Sequence, residues 1–359
     1  MDLSIFFAGT GGSAPTARRG LPASLVRRGG EKLLFDCGEG TQRQLVRSVG
    51  LLDIDAVFLT HFHADHWLGL PGMLKSFALR DRDRPMAVYG PPGIEELMGA
   101  VRFIYGRLPY ELTITRLEPT QSVPGDGYRV TAIPVRHPGG TVFGYALVED
   151  ARPGQFDPQL AERLGVTPGP DFGRLQRGET VAGVTPDQVM GPERHGRKLV
   201  LSGDTAPCEA LVIAAHEADL LVHEATFAED EVERARETQH STARQAAEAA
   251  REAEVRMLAI THMSSRYAPS EIRRQARAVF PATEAPRDFD TIEIPFPERG
   301  QPQLVPWSSR ERPPGGEGSG GAPDGGDPEG GVGSAGGRQH PEGAGATGEG
   351  AGDTVSEIL

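Results

Sequence analysis

The chain has 359 residues, with 37 Lys and Arg against 50 Asp and Glu, for a formal net charge of −13. The last 50 residues carry −6 of that charge and include 17 glycines, nine acids and three bases. What remains is long enough for one large domain, and it is acidic, without the general basic character of many nucleic-acid binders. A local arginine-rich face is still compatible with a negative sum.

No apolar run approaches the roughly 20 residues of a membrane span, and Met1 to Phe7 lacks the basic and long apolar regions of a signal peptide. No membrane partner is expected. Cys37 and Cys208 fit neither a CxxC metal pattern nor a disulfide framework, which suits a reducing, cytoplasmic setting.

Leu3 to Ala8 has the apolar character of a strand, followed by a turn at Gly9 to Ser13 and a strand pair at Ala23–Val26 and Lys32–Phe35. The glycines at 9, 11 and 12 do not make a dinucleotide loop, because position 14 is Ala where G-x-G-x-x-G requires Gly. A helix is expected over 41–49. The branched apolar run Ala56–Leu59 then leads into Thr60-His61-Phe62-His63-Ala64-Asp65-His66. Further helical patterns fall at 67–79, 93–104, 206–216, 229–237 and 241–253. Strands are expected near 86–89, 112–116, 128–135, 143–148, 198–202, 219–222 and 257–261. Such alternation predicts a layered α/β domain over 1–307. Within it, 151–196 is rich in glycine and proline and weakly periodic, a loop-like insertion of the kind that is functional or mobile. Residues 308–359 lack the apolar side chains needed to offset ordering entropy and are expected to form a disordered tail.

Three imidazoles and a carboxylate within six residues, directly after a strand, point to metal, since neutral imidazole and carboxylate oxygen are donors Zn²⁺ accepts and Mn²⁺ or Fe²⁺ tolerates. One corner cannot close a site, but three other strand-like runs lead to His137, Asp204 and His262. Seven candidates, His61, His63, Asp65, His66, His137, Asp204 and His262, exceed what one four-coordinate Zn²⁺ holds, so two metals per subunit are implied. The pattern allows His61, His63 and His137 around one, Asp65, His66 and His262 around the other, and Asp204 between them. Two ions roughly 3.5–4 Å apart lower the pKa of a shared water and stabilise charge on a phosphoryl or acyl centre, so hydrolysis is expected. His240, just before the helix at 241–253, is the free imidazole best suited to give a proton to a leaving group. His223-Glu224 follows the strand Leu220–Val222, a placement that suits orienting this imidazole, supporting a metal ligand from behind, or an equally expected purely structural role.

The order His-x-His-x-Asp-His, His, Asp, His resembles the metallo-β-lactamase superfamily. That resemblance implies an αββα four-layer sandwich with a dinuclear site at one edge of two sheets. Finer matches are Phe7 to Thr16, Phe35 to Gln42, Ser202 to Thr205, His223 to Phe227, His240 to Thr242 and Thr261 to Tyr267. These resemble the ribonuclease Z family of tRNA 3′-processing endonucleases over about residues 1–307, and 151–196 resembles that family's protruding tRNA-binding arm. The resemblance implies a zinc-dependent cut after the discriminator base of precursor tRNA that leaves a 3′-hydroxyl. Asp65 would handle the proton of the attacking water, His240 would assist the leaving 3′-oxygen with Glu224 steering it, and Arg266 would touch phosphate. It also implies a homodimer whose arm grips tRNA across from the catalytic subunit. The arm carries few basic residues: Arg152, Arg163, Arg174, Arg177, Arg194, Arg197 and the adjoining Lys198. A small-molecule hydrolase of the same fold, a phosphodiesterase or arylsulfatase-like enzyme, would share the seven ligands; the arm and the segments at His223 and His240 weigh against it.

Overall fold

Alternation along the strands decides the layering. Phe7, Leu33, Phe35 and Phe58 point to one side of their strands and Phe6, Leu34 and Val57 to the other, yet all are buried. A sheet buried on both faces needs a layer on each. The computed structural model, which describes residues 2–309, supplies them. Its strands are β1 (Leu3–Gly9), β2 (Ala23–Arg28), β3 (Glu31–Phe35), β4 (Ala56–Phe58), β5 (Met86–Gly90), β6 (Leu112–Arg116), β7 (Ser122–Gly125), β8 (Tyr128–Pro134), β9 (Phe143–Glu149), β10 (Lys198–Leu201), β11 (Leu220–Glu224), β12 (Leu258–Thr261), β13 (Thr283–Glu284), β14 (Thr291–Glu293) and β15 (Gln303–Val305). Among the described residues they form an eight-stranded sheet, β15-β14-β1-β2-β3-β4-β5-β6, and a seven-stranded sheet, β13-β12-β11-β10-β9-β8-β7.

The inner core holds Phe7, Phe35 and Phe58 from the first sheet against Tyr145, Leu147, Leu199 and Val222 from the second. The outer face of the first sheet packs on helices Thr41–Arg47, Gly69–Leu79 and Ile94–Ala100 through Leu45, Leu70, Phe77 and Met98. That of the second packs on Glu209–Ala215, Ala243–Glu252 and Pro269–Arg277 through Leu211, Ala246 and Ile272. This is the expected αββα sandwich. Across its middle, the buried Tyr145 hydroxyl donates to Leu59 O at 2.6 Å and Phe143 N–H to Thr60 O at 2.9 Å. The end of β4 is therefore tied to the opposite sheet where the His-rich segment begins.

Several expected elements differ in detail. The helix predicted over 67–79 is two, Ala64–Trp67 and Gly69–Leu79, so the first turn already includes Asp65 and His66. The short β13, β14 and β15 and the helix Pro269–Arg277 were not anticipated, because their runs are too brief or too charged to stand out.

The insertion is not a loop. It continues the antiparallel β9–β10 pair: Glu149 N–H donates to Arg197 O, Arg152 and Arg194 exchange both backbone hydrogen bonds, and Phe156 bridges Met190. Beyond that neck lie three short helices, Pro158–Arg163, Pro170–Gln176 and Pro186–Val189, each starting with the proline favoured at a first helical position. Ala161, Val166, Leu175, Val181, Val184 and Val189 form a small separate core. The expected tail lies, from residue 310 on, outside the described residues.

Candidate active site

The ends of five strands meet at one edge of the sandwich. β4 runs into His61, and the helix Ala64–Trp67, with His63 at its N-cap, carries Asp65 and His66. β8 leads to His137, β10 to Asp204 and β12 directly to His262, while Glu224 is the last residue of β11. Asp204 sits centrally: its Oδ2 is 3.2 Å from His66 Nε2 and from His262 Nε2, and 3.9 Å from the Nε2 atoms of His61 and His137. Asp65 Oδ2 lies 3.4 Å from His262 Nε2 and 3.6 Å from His66 Nε2. The donor atoms of His61, His63 and His137 form one compact group and those of Asp65, His66 and His262 another, each within 4.8 Å. All seven predicted ligands are thus brought together.

Hydrogen bonds on the far side of each ring decide which nitrogen faces inward. His66 Nδ1 donates to Asp36 Oδ2 at 2.8 Å, His137 Nδ1 to the Gln239 carbonyl at 3.0 Å, and His262 Nδ1 to Thr226 Oγ1 at 2.8 Å. His61 Nδ1 donates to Thr60 Oγ1 at 2.9 Å, while that hydroxyl itself donates to Asp36. Four rings therefore present Nε2 to the centre. His63 presents Nδ1, which lies 3.1 Å from His137 Nε2. Asp36, Thr60, Thr226 and the Gln239 carbonyl were missed as orienting groups. Asp36 and Thr60, each directly after a strand-like run, and Thr226, inside the segment His223 to Phe227, carry signals that could have marked them; the Gln239 carbonyl carries none.

Backbone strain gathers here as well. Ser13, Asp36, Gln239 and His262 are non-glycine residues with φ between 54° and 64°, a conformation that costs about 1 kcal/mol or more and persists only when surroundings enforce it. Ser13 N–H donates to Asp65 Oδ2 at 2.8 Å. Gly12 gives His262 room, since a Cβ there would lie 2.5 Å from the imidazole.

The donor set suits divalent cations. Nε2 of His61 and of His66 are buried without a hydrogen bond, a costly state for a polar nitrogen unless a ligand meets it. Burial lowers the pKa of His61, His63 and His137, favouring the neutral imidazole that binds metal. Burial also opposes charge on His66, but Asp204 and Asp36 outweigh it and raise its pKa well above normal. The pocket thus calls for positive charge at its centre.

Next to this cluster, His240 Nδ1 is 2.8 Å from Glu224 Oε1. The His240 ring centroid lies 4.6 Å from that of His137 and 5.4 Å from that of His262. Burial alone would lower the pKa of His240, but the Glu224 charge and hydrogen bond lift it to about 9. His223 faces away from the cluster, with Nδ1 bonded to the Glu224 carbonyl at 2.6 Å. Arg266 is on the exposed loop after His262 and pairs with Glu231 at 3.2 Å.

Sandwich and cluster together define a metallo-β-lactamase-superfamily hydrolase, and that superfamily's sequence profile matches residues 19–262. A ribonuclease Z of Myxococcus xanthus is 48% identical over 303 residues, covering 82% of this chain and 98% of that protein. One from Methanosarcina acetivorans is 44% identical, covering 82% and 99%. The chain belongs to the ribonuclease Z family and is an endoribonuclease. Among solved structures, the short form of human tRNase Z is similar at 27% identity and a TM-score of 0.60, covering 81% of this chain and 99% of that one. YhfI of Bacillus subtilis, at 19% identity and a TM-score of 0.61 over 82% and 100%, shares the fold. No helix among the described residues is long and apolar enough to cross a membrane.

Proposed function

We propose that this endoribonuclease removes the 3′ trailer from precursor tRNA, cutting after the discriminator base to leave a 3′-hydroxyl. The observation that carries the mechanism is the Glu224–His240 pair set directly against seven converging ligands. His61, His63 and His137 would hold one divalent cation, Asp65, His66 and His262 a second, with Asp204 between them; Zn²⁺ suits these donors, and Mn²⁺ is an acceptable substitute. Two such ions, held by these residues, would supply an activated water and charge neutralisation at the phosphate.

The chain's own groups do the rest. Asp65, aligned by the Ser13 N–H, accepts the proton of the attacking water. His240 keeps Nδ1 bonded to Glu224, so Nε2–H is the proton it delivers to the departing 3′-oxygen. Arg266, exposed and held only by a carboxylate, exchanges Glu231 for substrate phosphate. The relatives' name, ribonuclease Z, and the human tRNase Z likeness support tRNA as substrate. The folded arm at 151–196 is then the element that grips it, in a cytoplasmic homodimer where the arm of one subunit serves the site of the other.

Zinc-loaded protein is given, in parallel, precursor tRNA and bis(p-nitrophenyl) phosphate. Efficient RNA cleavage supports the proposal. Ester hydrolysis with RNA left intact would place the chain among small-molecule hydrolases of the same fold.

A further inference from the structure

Both stems of the arm end on one short segment of the C-terminal region. Arg152, on the outgoing stem, donates to both oxygens of Glu298 at 2.8 and 3.2 Å, and Arg194, on the returning stem, donates to Glu298 Oε1 at 3.1 Å. Two residues earlier, the half-buried Phe296 ring lies 3.5 Å from the Arg152 guanidinium carbon and 4.1 Å from that of Arg197. Both distances are within the range of a cation–π contact, so the ring joins the outgoing stem to the returning one. Arg197 is itself buried and fixed by Glu149 at 2.7 Å and by the Ile294 carbonyl at 2.9 Å.

Glycines let the stems close. A Cβ on Gly154 would lie 1.8 Å from Gly191 O, and one on Gly196 would lie 2.3 Å from Glu149 O. The neck is therefore narrow and pinned, while the arm's own core is separate from the main one. Its direction has to be set at the neck. Arg152 and Arg194 are paired there with Glu298, and the buried Arg197 with Glu149, so these three arginines tie the two stems to the body.

We propose that Phe296 and Glu298 are positioning residues for tRNA: they form a clamp that fixes the arm's angle and so set the affinity for precursor tRNA without touching the chemistry. This rests on the arm being the tRNA-gripping element. The whole zinc-loaded protein is assayed as wild type, Phe296→Ala, Phe296→Tyr, Glu298→Gln and a variant lacking 155–190, on precursor tRNA and on bis(p-nitrophenyl) phosphate. Phe296→Ala and Glu298→Gln should raise KM for precursor tRNA about tenfold with kcat for RNA and ester turnover nearly unchanged. Phe296→Tyr, which keeps an aromatic face, should restore the wild-type KM. If the arm deletion raises KM while Phe296→Ala and Glu298→Gln do not, the clamp is refuted but the arm's role stands. An unchanged KM in the arm deletion overturns both. Glu298→Gln, at an exposed site, covers the case in which Phe296→Ala fails to fold.

Discussion

His240 Nδ1 donates to Glu224 Oε1 at 2.8 Å, and the same buried carboxylate accepts four further hydrogen bonds, from the N–H groups of Thr205, Thr226 and Ser241 and from the Thr226 hydroxyl. With so many donors Glu224 cannot swing away, and the imidazole it holds has one orientation. His240→Ala should lower kcat on precursor tRNA about 10²–10⁴-fold, the usual worth of a positioned general acid, with bound zinc unchanged. Metal analysis alongside kinetics checks this, and loss of zinc from the variant would make His240 a ligand instead. Glu224→Gln should also lower kcat, since it removes the charge partner of the ring and puts an amide NH2 where one oxygen accepts two or three of these hydrogen bonds.

Gly12 and His262 are matched in shape. A methyl at position 12 would press 2.5 Å from the imidazole, beside a residue already held at φ 54°. Gly12→Ala should displace that ring, reduce zinc stoichiometry and lower activity, with little loss of secondary structure. Zinc content by atomic absorption, read next to circular dichroism, tests this.

Glu149 joins the sheets through Arg28 at 2.9 Å and Arg197 at 2.7 Å, all three buried. Burial alone would raise its pKa, but hydrogen bonds and charge from Arg197, helped by Arg28, lower it. A carboxylate with a depressed folded-state pKa contributes stability that is present above its unfolded value, about 4.3, and lost as pH falls through the folded one. Glu149→Gln should cost about 3–5 kcal/mol near neutral pH, because both arginines lose their partner. Denaturant melts should show the wild type losing more stability than this variant between pH 6 and 3.

The orphaned nitrogens of His61 and His66 imply that metal stabilises the fold as well as the reaction. At a free zinc concentration 100 times the dissociation constant, linkage adds about 2.7 kcal/mol. Thermal unfolding of chelator-treated protein should shift upward when zinc is restored, and this shift should shrink in His66→Ala. Equal melting temperatures with and without zinc would count against the assignment.

Much of this was legible in the sequence because ligands at strand ends leave a local mark: an apolar run, then His or Asp. His137, Asp204 and His262 each carry that mark, and the alternation of helical and strand-like runs points to a layered α/β domain, while the αββα sandwich is legible only through the resemblance to the metallo-β-lactamase superfamily. What was illegible depends on distant pairing. Asp36 reaches His66 across 30 positions and Gln239 reaches His137 across 102, and no periodicity encodes such contacts. The arm looked structureless because its helices are only four to seven residues long and open on proline, too short for a 3.6-residue period to emerge. Of the arm's few basic residues, Arg152, Arg174, Arg194 and Arg197 are paired with carboxylates, partners that the sequence does not mark.

The most direct test of the central claim is the position of the cut. A 5′-labelled precursor tRNA with a 3′ trailer is incubated with the zinc-loaded protein, and the product end is mapped at single-nucleotide resolution. A single product ending at the discriminator base with a 3′-hydroxyl is the predicted result. Scattered cleavage, a 3′-phosphate end, or intact RNA would contradict it.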